Sequence, residues 1–212
     1  MIYFNADKGG ILKEINKERE LTKSDILGKI LFPSSELKKR ISELGNQITA
    51  DYKGKEILLV SVLRGGIIFL SDLIKEIDLP LSIDFMSIST YGINDDASGV
   101  VRITKDLEDS IEGKDVIIVE DIIDTGLTIS YLLRNLKSRY PNSISICTLL
   151  NRDIRRIADI DIKYVGFSIG EKYIVGYGLD YKQKFRNLES IYELNIDTVK
   201  RDIESLKNNS NF

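Results

Sequence analysis

Three acids, Glu120, Asp121 and Asp124, stand directly after the apolar run Val116-Ile117-Ile118-Val119 and directly before Thr125-Gly126-Leu127-Thr128. The apolar run reads as a buried strand. Beyond Thr128, apolar residues recur at Ile129, Leu132, Leu133 and Leu136, the spacing of a helix. The loop is therefore a strand-to-helix turn, and the first N–H groups of a helix are unpaired donors that favour an anion. Acids beside such a turn would repel a bare phosphate. They suit a ligand that carries hydroxyls and Mg²⁺ beside its phosphate, and a phosphorylated sugar with a diphosphate meets that demand.

Other phosphate sites fit less well. The P-loop string G-x-x-x-x-G-K-[ST] is absent, and Gly65-Gly66 lacks the third glycine of a dinucleotide fingerprint. The chain has no histidine, which excludes His-based triads and His-ligated zinc and leaves acid–base work to Asp, Glu, Lys, Tyr or the single Cys147. Cys147 lies in an apolar run and reads as core, and one cysteine cannot form an internal disulfide, compatible with a cytoplasmic setting. A net charge of −3 and a pI near 5.3 provide no global field for nucleic acid or an anionic membrane. No apolar stretch approaches a membrane span, and the charged N-terminus is unlike a signal peptide.

The elements that must hold these residues follow from periodicity. Strands are expected at 56–62, 82–89, 116–119, 144–149, 162–167 and 172–177. A helix with a serine cap follows Pro33-Ser34-Ser35, carrying Leu37, Ile41, Leu44 and Ile48 on one face. Two more helical patterns cover Leu70 to Ile77 and 127–140. Strands alternating with helices predict an α/β fold, a mainly parallel sheet flanked by helices, with ligands at the carboxyl ends of the strands. The 212 residues are read as one domain, with 1–20 and 195–212 as terminal extensions. The tail has a weak amphipathic pattern suited to docking on the body or on a neighbouring subunit. Residues 91–99 form a polar connection with two glycines and are expected to be mobile.

The E-D-x-x-D-T-G-x-T string resembles the ribose-phosphate site of the type I phosphoribosyltransferases, and Glu120-Asp121-Ile122-Ile123-Asp124 resembles their hypoxanthine-guanine branch. The resemblance runs from about Leu37 to Leu188. It includes Ser61-Val62-Leu63-Arg64-Gly65-Gly66, similar to the family's diphosphate loop, where members carry Lys or Arg, often after a cis peptide. Ser87-Ile88-Ser89-Thr90-Tyr91-Gly92 resembles the mobile lid, with Thr90 in place of a second serine. Tyr173-Ile174-Val175-Gly176-Tyr177-Gly178-Leu179-Asp180-Tyr181 and Phe185-Arg186-Asn187-Leu188 resemble the base-binding and second diphosphate segments.

The resemblance implies a type I phosphoribosyltransferase fold with a small hood from the chain ends. It implies transfer of ribosyl 5-phosphate from 5-phosphoribosyl 1-diphosphate to a 6-oxopurine base, with Mg²⁺. Thr125, Gly126, Leu127 and Thr128 would hold the 5-phosphate, Glu120 and Asp121 the ribose hydroxyls, and Asp124 would be the catalytic base. Arg64, Gly65 and Arg186 would meet diphosphate. Tyr173, Ile174, Asp180 and Arg152 would serve the base, Ser89, Thr90 and Tyr91 the lid, and Glu120, Asp121 and Asp180 the metal. Family members place lysine where this chain has Arg152, and bacterial relatives usually carry Asp where it has Asn151. That departure keeps open a transferase for another base such as xanthine. A non-catalytic sensor of 5-phosphoribosyl diphosphate is a further alternative. A homo-oligomer, dimer or tetramer, in the cytoplasm is expected, with neither nucleic-acid nor membrane partners.

Overall fold

The computed structural model describes residues 22–91, 100–197 and 200. Its centre is a six-stranded sheet of β2 (Ile57–Leu63), β3 (Leu81–Tyr91), β4 (Val100–Lys105), β5 (Asp115–Ile123), β6 (Ser143–Asn151) and β7 (Tyr164–Ser168), in the order β4-β3-β2-β5-β6-β7. Every neighbouring pair is parallel except β3 with β4. Parallel strands need crossovers, and helices supply them. Here α3 (Ile67–Leu73) and a 3₁₀ turn follow β2, and α4 (Leu127–Lys137) follows β5.

Both faces of the sheet are buried, so its central strands are continuous apolar runs whose alternate residues serve opposite cores. Leu59, Ile117, Val119 and Leu149 pack with Leu37, Ile41, Leu44 and Ile48 of α2 (Ser34–Asp51) and with Phe69 and Leu73 of α3. On the other face Leu58, Val60, Val116 and Ile118 meet Ile129, Leu132 and Leu136 of α4. Cys147 is fully buried in the first core, where desolvation raises its thiol pKa.

A second, three-stranded sheet joins β1 (Leu27–Phe32), β9 (Ile191–Leu194) and β8 (Ile174–Val175) in that order, all antiparallel. It brings both ends of the described chain together as the hood. A four-residue helix α1 (Lys23–Ile26) leads into it.

Several expectations need correction. The helix after Pro33 has no serine cap. Pro33 itself takes the cap position, helped by its fixed φ, and the Ser34 N–H donates to Ser190 Oγ at 3.1 Å. The strand expected at 116–119 runs on to Ile123, because pairing with β6 continues through Glu120, Ile122 and Ile123. Two of the three acids therefore lie in the strand rather than the turn. The strand expected at 172–177 shrinks to two residues of the hood, since Gly176 takes φ +103 and turns the chain. Strands β1, β4 and β9 were not anticipated. The polar connection lies outside the described residues from 92 to 99, as do residues 1–21 and nearly all of the tail beyond 197.

Candidate active site

Between β2 and β5 the connections leave in opposite directions, β2 through α3 to β3 and β5 through α4 to β6. Such a switch point opens a crevice at the carboxyl ends of the strands. A cleft of about 310 Å³ lies there, lined by Leu63 and Gly65 from the β2 end and by Glu120 to Thr128 from the β5 end. Ile88 of β3 closes one side.

Gly126 caps α4 in the left-handed conformation at φ +79. That turn places the Thr125–Thr128 backbone at the mouth of the helix, where its N–H groups form an anion nest. Thr125 Oγ1 accepts weakly from the Leu127 N–H at 3.4 Å. A Cβ on Gly126 would lie 3.0 Å from Arg156 Cδ, so the 153–158 segment rests on the turn. The N–H groups of Ile157 and Ala158 both donate to the Thr125 carbonyl, at 2.9 and 3.1 Å, which fixes it.

The acid pair is unusual electrostatically. Burial raises the Glu120 carboxyl well above the usual range, and the charge of Asp121 adds to this. Asp121 is pushed up to about 6, first by burial and also by Asp180, although the Ile122 N–H and the Arg186 charge oppose the rise. Its Oδ1 accepts from the Ile122 N–H at 2.8 Å. Its other oxygen presses on the β2 loop, where a Cβ on Gly65 would come within 1.7 Å of Oδ2. Gly65 is therefore required by the carboxylate as much as by any ligand. Two buried acids side by side favour a positive or metal-bridged occupant, which would restore their ionised forms.

Asp124 lies at the end of the pair's strand, beside a set of arginines. Arg152, buried at 8% exposure, donates through Nη1 to Asp124 Oδ2 at 2.9 Å and through Nη2 to the Lys172 carbonyl. Arg155 approaches the same oxygen at 3.5 Å, and Arg156 Nε donates to the Asp124 carbonyl at 3.1 Å. Asp124 Oδ1 and Arg152 Nε are buried without a partner. The fork expected to face a base thus has partners within the protein. Arg155 and Arg156 were not anticipated here, and their only sequence signal was a run of cations after β6.

Across the cleft, Leu63–Arg64 is a cis peptide. Gly178 at φ +96 lies so close to the Gly65 carbonyl that a Cβ would come within 2.2 Å of it, which packs the 176–186 segment onto the β2 loop. Arg186 pairs with Asp180 at 2.6 Å and donates to the Gly178 carbonyl at 2.7 Å. Tyr173 is 54% exposed, and Ile174 beside it is buried against the main core. Ser89, Thr90 and Tyr91 end β3, paired with Arg102, Val101 and Val100 of β4. Ser89 Oγ is buried without a partner. Among the described residues no three Asp, Glu, Cys or His side chains converge as a metal-ligand set, so Glu120, Asp121 and Asp180 do not form one by themselves. The donors do fit a hard cation, because Asp180 stands close enough for its charge to disfavour ionisation of Asp121.

This geometry joins a helix-mouth turn of backbone N–H groups, a buried acid pair and a set of arginines around Asp124, and a family model for the phosphoribosyl transferase domain matches residues 29–182. The chain belongs to the phosphoribosyltransferase family. Its relatives lie in the hypoxanthine-guanine group. A hypoxanthine-guanine phosphoribosyltransferase of Mycobacterium avium is 47% identical over 178 residues, covering 81% of this chain and 87% of that protein. A hypoxanthine phosphoribosyltransferase of Salmonella typhimurium is 48% identical, covering 75% and 90%. The crystal structure of a hypoxanthine phosphoribosyltransferase from Staphylococcus aureus aligns with a TM-score of 0.79 at 46% identity, covering 82% of this chain and 94% of that one.

Proposed function

We propose that this chain is a purine-salvage enzyme that moves ribosyl 5-phosphate from 5-phosphoribosyl 1-diphosphate onto N9 of hypoxanthine or guanine and releases diphosphate. The observation that carries the reading is the switch-point cleft, in which the Thr125–Thr128 nest, the Glu120–Asp121 pair and Asp124 share one wall. The nest holds the 5-phosphate, and Glu120 and Asp121 take the ribose hydroxyls. Their buried negative charge also favours a cationic sugar in the transition state. Arg64, Gly65 and Arg186 receive diphosphate. Mg²⁺, held with help from Asp180 and the acid pair, would neutralise charge on the diphosphate as it leaves.

Tyr173 offers its exposed ring to the base, and Ile174 reads the base edge through its backbone. Asp124 accepts the N7 proton as N9 attacks, a role worth ~10²–10⁴-fold. Arg152 reaches the O6 and N7 edge by exchanging one of its present partners. The lid of Ser89, Thr90 and Tyr91 excludes water from the reactive sugar. Among the described residues no helix is long and apolar enough to cross a membrane. We place the enzyme in the cytoplasm as a homo-oligomer.

A spectrophotometric assay with hypoxanthine, guanine, xanthine and adenine, each with and without Mg²⁺, tests the reading. Mg²⁺-dependent turnover of the first two is expected. Turnover of xanthine alone would assign Arg152 to a different base, and no turnover with any base would favour a sensor of the diphosphate sugar.

A further inference from the structure

Two guanidinium groups from segments far apart in the chain converge on one oxygen. Arg64 Nη1 and Arg186 Nη2 each donate to Oε1 of Gln183 at 3.2 Å. Arg64 belongs to the β2 loop, and Arg186 lies beyond the hood strand β8, so nothing local in the chain brings them together. Like charges do not gather at a point unless an acceptor sits between them, and here the acceptor is a neutral side-chain amide.

The backbone aims this side chain. Residues Tyr181 to Lys184 form a tight turn closed by two mutual hydrogen bonds, Tyr181 N–H to the Lys184 carbonyl at 3.2 Å and Lys184 N–H to the Tyr181 carbonyl at 3.0 Å. Its central residues, Lys182 at φ +52 and Gln183 at φ +63, both take the left-handed conformation that glycine and asparagine adopt more readily. The Gln183 N–H donates to Asp180 Oδ2 at 2.8 Å, while Asp180 Oδ1 binds Arg186 at 2.6 Å. Asp180 thus fixes both the turn that carries the amide and one of the arginines it serves.

We infer that Gln183 is a built-in stand-in for diphosphate, holding Arg64 and Arg186 together in the empty site and yielding them to the ligand. The inference rests on the reading of those arginines as diphosphate ligands. An amide oxygen suits the task because it satisfies both donors without carrying charge. The guanidinium groups already lend charge to their bonds with the amide, but a phosphoryl oxygen adds a negative charge of its own, so exchange favours the ligand when it arrives. When diphosphate departs as product, the amide returns and the arginines do not have to drift apart into water. Gln183 is in this sense a positioning residue that tunes affinity for the leaving group.

The test is calorimetric titration of inorganic diphosphate with Mg²⁺ into the wild-type protein, Gln183→Glu and Gln183→Leu. Inosine 5′-monophosphate, which uses the phosphate nest and base site but not the diphosphate site, is titrated in parallel. A carboxylate competes with charge, so Gln183→Glu is expected to bind diphosphate at least tenfold more weakly. Gln183→Leu removes the competitor and is expected to bind it about threefold or more tightly, and both variants keep wild-type affinity for the nucleotide. Equal or weaker diphosphate binding by Gln183→Leu overturns the inference, as does wild-type binding by Gln183→Glu. Loss of nucleotide affinity in both variants also overturns it, because Gln183 would then support the whole site. Arg64→Ala separates the two readings. If that change leaves diphosphate affinity intact, the assignment of the diphosphate site fails, whereas an effect there without one at Gln183 sinks only the stand-in.

Discussion

Charge that is costly to the fold is concentrated at Glu120 and Asp121, and this has a measurable sign. Asp121 titrates near 3.8 in an unfolded chain and near 6 in the folded one, with burial the main cause. The folded state therefore binds the proton more tightly, and stability falls as pH rises from about 4 to about 6. Asp121→Asn, which can still accept the Ile122 N–H, should raise Tm at pH 8 and change it little at pH 4. Scanning calorimetry at the two pH values checks this, and a larger gain at pH 4 would refute the cause given. Arg152 carries a second residue-scale expectation. A hydrogen bond from a charged donor is worth roughly 1.5–3 kcal/mol, so Arg152→Ala should lower kcat/KM for hypoxanthine on the order of ten- to a hundredfold. Arg152→Lys preserves a cation for Asp124 but has no planar fork for the Lys172 carbonyl as well, and should keep most of the activity. Steady-state kinetics in which the alanine variant matches the wild type would remove Arg152 from the site.

At the scale of elements, intrinsic propensity and packing make opposite predictions at Gly45 in the middle of α2. On propensity alone, Gly45→Ala would stabilise the helix by about 1 kcal/mol. A Cβ there would sit 2.5 Å from Glu76 Cβ and 2.6 Å from the Glu76 carbonyl oxygen, where the 3₁₀ turn after α3 crosses the helix. Backbone atoms cannot swing aside as a side-chain tip can, and overpacking typically costs ~1–3 kcal/mol. Gly45→Ala should therefore lower the urea midpoint, and a raised midpoint would show that the crossing relaxes. The same contrast explains what could be read from the chain. Strands β2, β5 and β6 were legible because burial on both faces makes them unbroken apolar runs. The hood strands β1 and β9 were not, since Leu27–Phe32 is largely solvent-facing and finds its partner Ile191–Leu194 far along the chain. In the site, the Glu120–Thr128 segment was legible because its acids, glycine and threonines are contiguous. The contacts of Asp124 with Arg152, Arg155 and Arg156 and the bond between Arg64 and Gln183 join distant segments, and no local pattern announces those contacts.

Across the whole molecule, the segment that follows the hood strand β8 must stay docked on the body for Arg186 and Asp180 to stand beside the β2 loop. A buried polar tie strengthens that join. The Tyr177 hydroxyl donates to Asp72 Oδ2 on α3 at 2.6 Å, from a ring only 6% exposed. Burial alone would raise the Asp72 carboxyl, but the Tyr177 hydroxyl and Lys75 outweigh it and hold it below its ordinary value. Its own burial and, after that, the same contact push the Tyr177 phenol up. A carboxyl depressed in the folded state stabilises the protein above about pH 4, and that contribution fades as pH falls through the folded value. Tyr177→Phe keeps the ring in the core and removes only the hydroxyl, so the cost should be close to that of one charged hydrogen bond, roughly 1.5–3 kcal/mol near neutral pH. A double-mutant cycle with Asp72→Asn isolates the pair. Near pH 7 the two changes should be clearly less than additive. At acid pH, once it falls through the lowered Asp72 value, the gap between wild type and Tyr177→Phe should shrink, because the acceptor is then becoming neutral. Additive effects at both pH values would mean that apolar packing alone docks the segment.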